Sequence, residues 1–133
     1  MRQKTVDAPI KENLAAGILR LSGWQPGAAL LDPMCGSGTF LLEAAQIALG
    51  VGPVARRHFA FEQLRHFDLA VWQRLLEAAR AGEAAATDAG IFGSDLSPAA
   101  VRAALANLDR AGLLPLVTLS TGDLLEIKAP AEH

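Results

Sequence analysis

Ala28-Ala-Leu-Leu-Asp32 runs directly into Pro33-Met-Cys-Gly-Ser-Gly38 and then Thr39. The first five residues are a short apolar run closed by an acid. A buried parallel strand has this look when its last residue emerges at the carboxyl edge of a sheet. The next six form a turn carrying two glycines. From Thr39 to Leu49 the spacing is helical, with Leu41, Leu42, Ala45 and Leu49 on the inner side and Gly50 as the stop. Strand, glycine turn and helix in that order open a unit whose next strand lies parallel to the first.

The same grammar recurs downstream. Gly90-Ile-Phe-Gly-Ser-Asp95 is a second apolar run ending in an acid. Ser97-Pro98 is a helix start, Ser as N-cap and Pro as the first helical residue. Val101, Leu105 and Leu108 form that helix's apolar stripe, and Gly112 ends it. Leu116 to Ser120 reads as a third strand, followed by Thr121-Gly-Asp123. Upstream, a helix is expected from Pro9 to about Leu21, burying Leu14, Ile18 and Leu21, and Trp24 to Gly27 reads as a turn. Between the first two strand units lies an insert with Phe59, Phe61 and Phe67 and a helix from about Asp68 to Ala81, its apolar side at Leu69, Trp72, Leu76 and Ala79. The chain thus divides into a leading helix (1–27), a strand–turn–helix (28–50), an aromatic and helical insert (51–90) and a strand–helix–strand (91–133). The expected fold is a Rossmann-like α/β sheet with parallel strands ordered 3-2-1 and flanking helices.

Composition narrows the function classes. The chain has 133 residues, 51% of them hydrophobic, enough for one packed domain and too apolar for disorder. A net charge of −2 gives no surplus of cations for strong nucleic-acid binding by this stretch alone. Cys35 is the sole cysteine and His58, His66 and His133 are scattered, so neither a disulfide nor a metal site is expected. No apolar run reaches the roughly 18 residues of a membrane span, and no signal peptide pattern opens the chain. A cytoplasmic protein is expected.

Three strands each end in, or lead into, an acid: Asp32, Asp95 and Asp123. Ligands of open α/β sheets sit outside the carboxyl ends of the strands, so the three acids should meet in one crevice. A dinucleotide fingerprint needs a third glycine where this chain has Leu41, and a pyrophosphate would be repelled by Asp32. A cationic ligand without phosphate fits better, and S-adenosylmethionine has an ammonium group and a sulfonium. Asp32 can attract the ammonium, Asp95 can accept both ribose hydroxyls, and Asp123 can accept from the adenine amino group.

Leu31-Asp-Pro-Met-Cys-Gly-Ser-Gly-Thr39 resembles the first motif of class I methyltransferases, in the D-P-x-C-G-S-G-T form of RNA methylases that carry a THUMP RNA-binding domain (the UPF0020 family). Phe92-Gly-Ser-Asp95 is similar to their ribose motif and Thr121-Gly-Asp123 to their adenine-side motif. Ala8-Pro-Ile-Lys-Glu-Asn-Leu14 resembles the helix opening that precedes the first motif. The insert looks closest to the group that methylates guanine N2 of 23S ribosomal RNA. The resemblance covers nearly the whole chain. It implies a SAM site formed by Asp32, Pro33, Met34, Cys35, Gly36, Gly38 and Thr39, by Asp95 with Leu96, by Asp123 with Leu124, and by Ile10 and Lys11. It implies direct methyl transfer to RNA without a metal. The family's N-P-P-Y-type motif, which handles the target nitrogen, has no counterpart here, and no THUMP segment precedes Met1. The chain therefore reads as an excised N-terminal half of a catalytic domain, inactive alone, holding no catalytic residue and meeting RNA through parts mostly outside it. Its Ala28–Asp32 edge, bare in such a fragment, should promote self-association.

Plainer readings stand beside these. Asp32 can be a helix cap, Asp95 a residue that merely precedes the Ser97 cap, and Asp123 a turn residue. Cys35 is a compact wall more readily than a nucleophile. The three phenylalanines, interleaved with Arg56, Arg57 and Arg65, form a small satellite core or, alternatively, a platform for RNA bases. A nicotinamide- or flavin-binding domain and a non-catalytic interaction module are the rival functions.

Overall fold

A computed structural model describes residues 10–51, 58–81 and 90–127. In chain order they form α1 (Glu12–Leu21), β1 (Leu30–Asp32), α2 (Thr39–Ala48), α3 (Leu69–Ala81), β2 (Ile91–Asp95), α4 (Pro98–Ala111) and β3 (Val117–Thr121). Short 3-10 turns occupy Ala60–Gln63 and Leu114–Leu116. Pro9, Arg56, Arg57, residues 82–89 and the segment 128–133 lie outside the described residues.

The three strands are parallel. Leu30 lies opposite Ile91, and Ile91 opposite Val117. Counted from the β1 edge the order is β1-β2-β3 and not 3-2-1. The expected list starts from the opposite edge, and by either count β2 is the middle strand. β1 is shorter than the apolar run, because only Leu30 to Asp32 find ladder partners on β2. Ala28 instead donates to Gln25 O in a turn.

Packing fixes which face is the core. Leu41 of α2 is wholly buried and sits directly on β2 at Gly93. A Cβ at Gly93 would collide with Leu41 Cδ1 and come within 2.8 Å of Leu119 Cδ2. Leu19, Cys35, Ala44, Ala45, Ile91, Ala104, Leu108, Leu113 and Val117 belong to the same cluster. Each fully buried Leu or Ile here contributes about 1.5–3 kcal/mol.

Two apolar stripes differ from expectation. On α1, Leu14, Ile18 and Leu21 are 53%, 41% and 89% exposed, and Ala15 and Leu19 are buried instead. α1 packs on α2, where Ala44 and Ala45 are also fully buried; small side chains let the two helices approach closely, and that selects the alanine side of α1. On α4, Ala104 takes the core place expected of Leu105, because that turn of the helix lies against Gly38. The ends of α4 follow the sequence. Ser97 Oγ accepts from Ala100 N, Pro98 is the first residue, and Gly112 closes the helix at φ 70°.

The insert forms a satellite cluster. Phe59 stacks on Phe61 at 5.2 Å, and Trp72 meets Phe61 edge-on at 5.0 Å and Phe67 at 6.5 Å. The rings occupy one another, as in a small core. Leu69, expected inward on α3, is exposed, with Trp72, Leu76 and Ala79 half-buried.

Candidate functional site

The turn from Pro33 to Gly38 leans over the end of β2. Cys35 N donates to Ser94 O at 2.8 Å, and Ser94 Oγ donates to Pro33 O at 3.3 Å. Gly36 N donates to Asp95 Oδ2 at 2.9 Å, and Asn107 Nδ2 donates to Ser37 O at 3.0 Å. Gly36 and Gly38 have φ of 54° and 84°, a backbone region that favours glycine. A Cβ at Gly38 would come within 3.0 Å of Ala104 Cβ. At Gly36 the same atom would meet nothing within 4 Å, so this peptide is open to an incoming ligand.

The three acids stand along the carboxyl edge above β1, β2 and β3. Asp32 Oδ1 accepts from Met34 N at 3.2 Å. Burial pushes its carboxyl above the usual range; the Met34 amide opposes that shift and the charge of Asp95 adds to it. Asp95 Oδ1 accepts from Ser97 N at 2.8 Å, and its main-chain oxygen accepts from Gly122 N at 3.1 Å. Asp123, the next residue, accepts from Leu125 N at 2.9 Å. Among the described residues no Lys or Arg forms an ion pair with any of the three. An ionised carboxylate has about four acceptor sites. Each acid therefore keeps capacity for a ligand that brings positive charge or donors.

Cys35 is buried beside these acids, and its thiol is pushed up to about 11 by burial first and then by Asp32 and Asp95. It stays a protonated thiol at neutral pH, which suits a wall and not a nucleophile. Met34 and Leu96 flank the acids with 71% and 70% exposed side chains, and Leu124 is exposed next to Asp123. Apolar groups at the rim suit a flat aromatic ring lying between charged ends.

Ile10, Lys11 and Thr39 come together in a neighbouring cleft of about 850 Å³, with Ser37, Asn107 and Arg110. The acids do not line this cleft. Among the described residues no group of His, Cys, Asp and Glu could hold a metal ion. No helix among them is long and apolar enough to cross a membrane. Sequence reasoning missed Ser94 and Asn107. Ser94 had a signal, as a hydroxyl inside an otherwise apolar strand must find a partner. Asn107 had none, since an asparagine in a helix usually faces water.

This donor set fits S-adenosylmethionine. A backbone opening at Gly36, an uncompensated Asp32 carboxyl next to Asp95 and an apolar rim suit a ligand with an ammonium group, a ribose and a purine. The comparisons agree. "Ribosomal RNA large subunit methyltransferase K/L" of Shewanella baltica strain OS155 is 43% identical over 136 residues, spanning 98% of this chain and 19% of that protein. The protein of the same name from strain OS185 matches equally. The chain thus spans about a fifth of the length of these relatives. Among solved structures, that of SMU.472 complexed with SAH superposes with a TM-score of 0.89 at 37% identity, over 95% of this chain and 33% of that one. The structure of a predicted N6-adenine-specific DNA methylase from Listeria monocytogenes str. 4b F2365 gives 0.88 at 30% identity, over 99% and 35%. Residues 1–133 match the UPF0020 family described as "RMKL-like, methyltransferase domain", and the chain belongs to that family.

Proposed function

We propose that this chain is the S-adenosylmethionine-binding part of a ribosomal RNA methyltransferase, the N-terminal half of a Rossmann-like class I domain whose target is guanine N2 of 23S RNA. The carrying observation is the glycine turn held over β2 between Asp32 and Asp95. Asp32 attracts the ammonium group, Asp95 accepts from the ribose, and Asp123 with Leu96 and Leu124 borders the adenine. Pro33, Met34, Cys35, Gly36 and Gly38 shape the floor, and Thr39, Ile10 and Lys11 are assigned to the amino-acid end from the neighbouring cleft on the far side of the turn. Bound there, the cofactor supplies a methyl group on a sulfonium. The residues of this chain hold and orient it, which is the positional and electrostatic share of catalysis. RNA is met mostly by parts of the protein beyond these positions. The setting proposed is the cytoplasm, where a lone buried thiol stays reduced. The β1 edge is proposed as a self-association surface, to be checked by sedimentation.

Calorimetric titration with S-adenosylhomocysteine tests the cofactor reading, with Asp95→Ala as control. Binding that weakens at least tenfold in the variant is expected. NADH binding with no response to S-adenosylhomocysteine would transfer the crevice to the rival dinucleotide class.

A further inference from the structure

The turn is held by β1 through Asp32 at Met34, by β2, and independently by α4. Ties to Pro33, Cys35 and Gly36 come from β2 and its last residue, through Ser94 and Asp95. Ser37 is reached instead from the third turn of α4, where Asn107 Nδ2 donates to its main-chain oxygen at 3.0 Å across 70 positions of sequence. The other end of the amide is also engaged, for Asn107 Oδ1 accepts from Arg110 Nη1 at 3.4 Å. A cation on Oδ1 keeps the amide's donor end toward the turn. One helical turn earlier, Ala104 lies where a side chain at Gly38 would have to go.

We infer that Asn107 is a positioning residue for the cofactor turn. Its bond holds the oxygen of the Ser37–Gly38 peptide, whose N–H donates to Cys35 O at 2.8 Å, and together the two bonds fix the peptide plane and the left-handed Gly38 from which α2 starts. That peptide borders the cleft holding Lys11 and Thr39, on the side assigned to the amino-acid end of the ligand. Asn107 lines the same cleft, but both ends of its amide are engaged, by Ser37 O and by Arg110, so it acts through the turn. The inference rests on the S-adenosylmethionine reading of the crevice.

The test is calorimetry on the full chain with Asn107→Ala and with Asn107→Asp, which keeps the shape and replaces the donor by a repelling acceptor. Each is titrated with S-adenosylhomocysteine and, separately, with adenosine, which lacks the amino-acid end. Both variants are expected to bind S-adenosylhomocysteine about tenfold more weakly, the scale of one lost hydrogen bond. Adenosine affinity should change by less than about twofold, and circular dichroism and melting cooperativity should match the wild type. Equal losses for both ligands, or a loss of cooperative melting in both variants, would mark a general structural role and overturn the inference. Wild-type binding with unchanged variants overturns it alone. A wild-type chain that ignores S-adenosylhomocysteine overturns the cofactor reading and this inference together.

Discussion

Asp95 joins the glycine turn to the start of α4, accepting from Gly36 N at 2.9 Å on one oxygen and from Ser97 N at 2.8 Å on the other. Its carboxylate therefore shapes the site before any ligand arrives. Asp95→Ala should lose both bonds, lower stability by about 1–3 kcal/mol and weaken S-adenosylhomocysteine at least tenfold. Asp95→Asn keeps one acceptor and turns its NH₂ toward the other donor. It should fall between the two in melting temperature but close to alanine in affinity. Thermal melts and calorimetry on the same samples check both. Full affinity in the asparagine variant would show that the carboxylate is not a ligand contact.

Gly93 is pressed between Leu41 and Leu119. Gly93→Ala should destabilise the chain by about 1–3 kcal/mol through overpacking. Leu41→Ala alone should cost about 2–5 kcal/mol. Together the two should cost less than their sum, because the second change vacates the space the first needs. Denaturant melts of the four proteins form the cycle, and strict additivity would contradict the contact.

Asp32 gives a pH signature. Its carboxyl is raised in the fold, mainly by burial, so the folded chain binds this proton more readily than the unfolded chain does. The contribution of Asp32 to stability is therefore unfavourable when ionised and is relieved as pH falls through the window just above the ordinary aspartate value of about 4. An ammonium-bearing ligand selects the ionised form, so affinity should rise with pH through the same window. Asp32→Asn retains an acceptor for the Met34 amide. It should flatten both trends, raise the melting temperature of the free chain at neutral pH and weaken S-adenosylhomocysteine. Melts and titrations between pH 4 and 8 would separate this from a carboxylate indifferent to its surroundings.

The thiol of Cys35, pushed up to about 11, should react slowly. At pH 7.5 a thiol-disulfide reagent is expected to modify it about a hundredfold more slowly than a free cysteine, from the thiolate fraction alone. Denaturant should abolish the difference. Fast labelling of the native chain would contradict both the burial and the wall role.

Much of the architecture could be read in advance, where one residue has one strong preference. Ser97, Pro98 and Gly112 bracket α4 as expected, because capping and proline geometry are local. The strand ends at Asp32 and Asp95 were likewise legible, as an acid cannot continue an apolar run into the core. The inward face of α1 was not. Its sequence offers two apolar sides, and the choice between Leu14–Ile18 and Ala15–Leu19 belongs to the partner helix. The bond from Asn107 to Ser37 was equally illegible, since it depends on how far α4 runs alongside the turn.

Every tie described from outside the Pro33–Gly38 turn originates in β1, β2 or α4, and none in a neighbouring surface loop. A segment anchored in this way cannot fray by itself. It belongs to the same cooperative unit as the sheet, and its amides should exchange with deuterium on the schedule of β2, slower than those of α3. If the turn binds the cofactor as proposed, little ordering entropy is left for the ligand to overcome. Altering its specificity by loop replacement would disturb the hydrophobic interior at the same stroke.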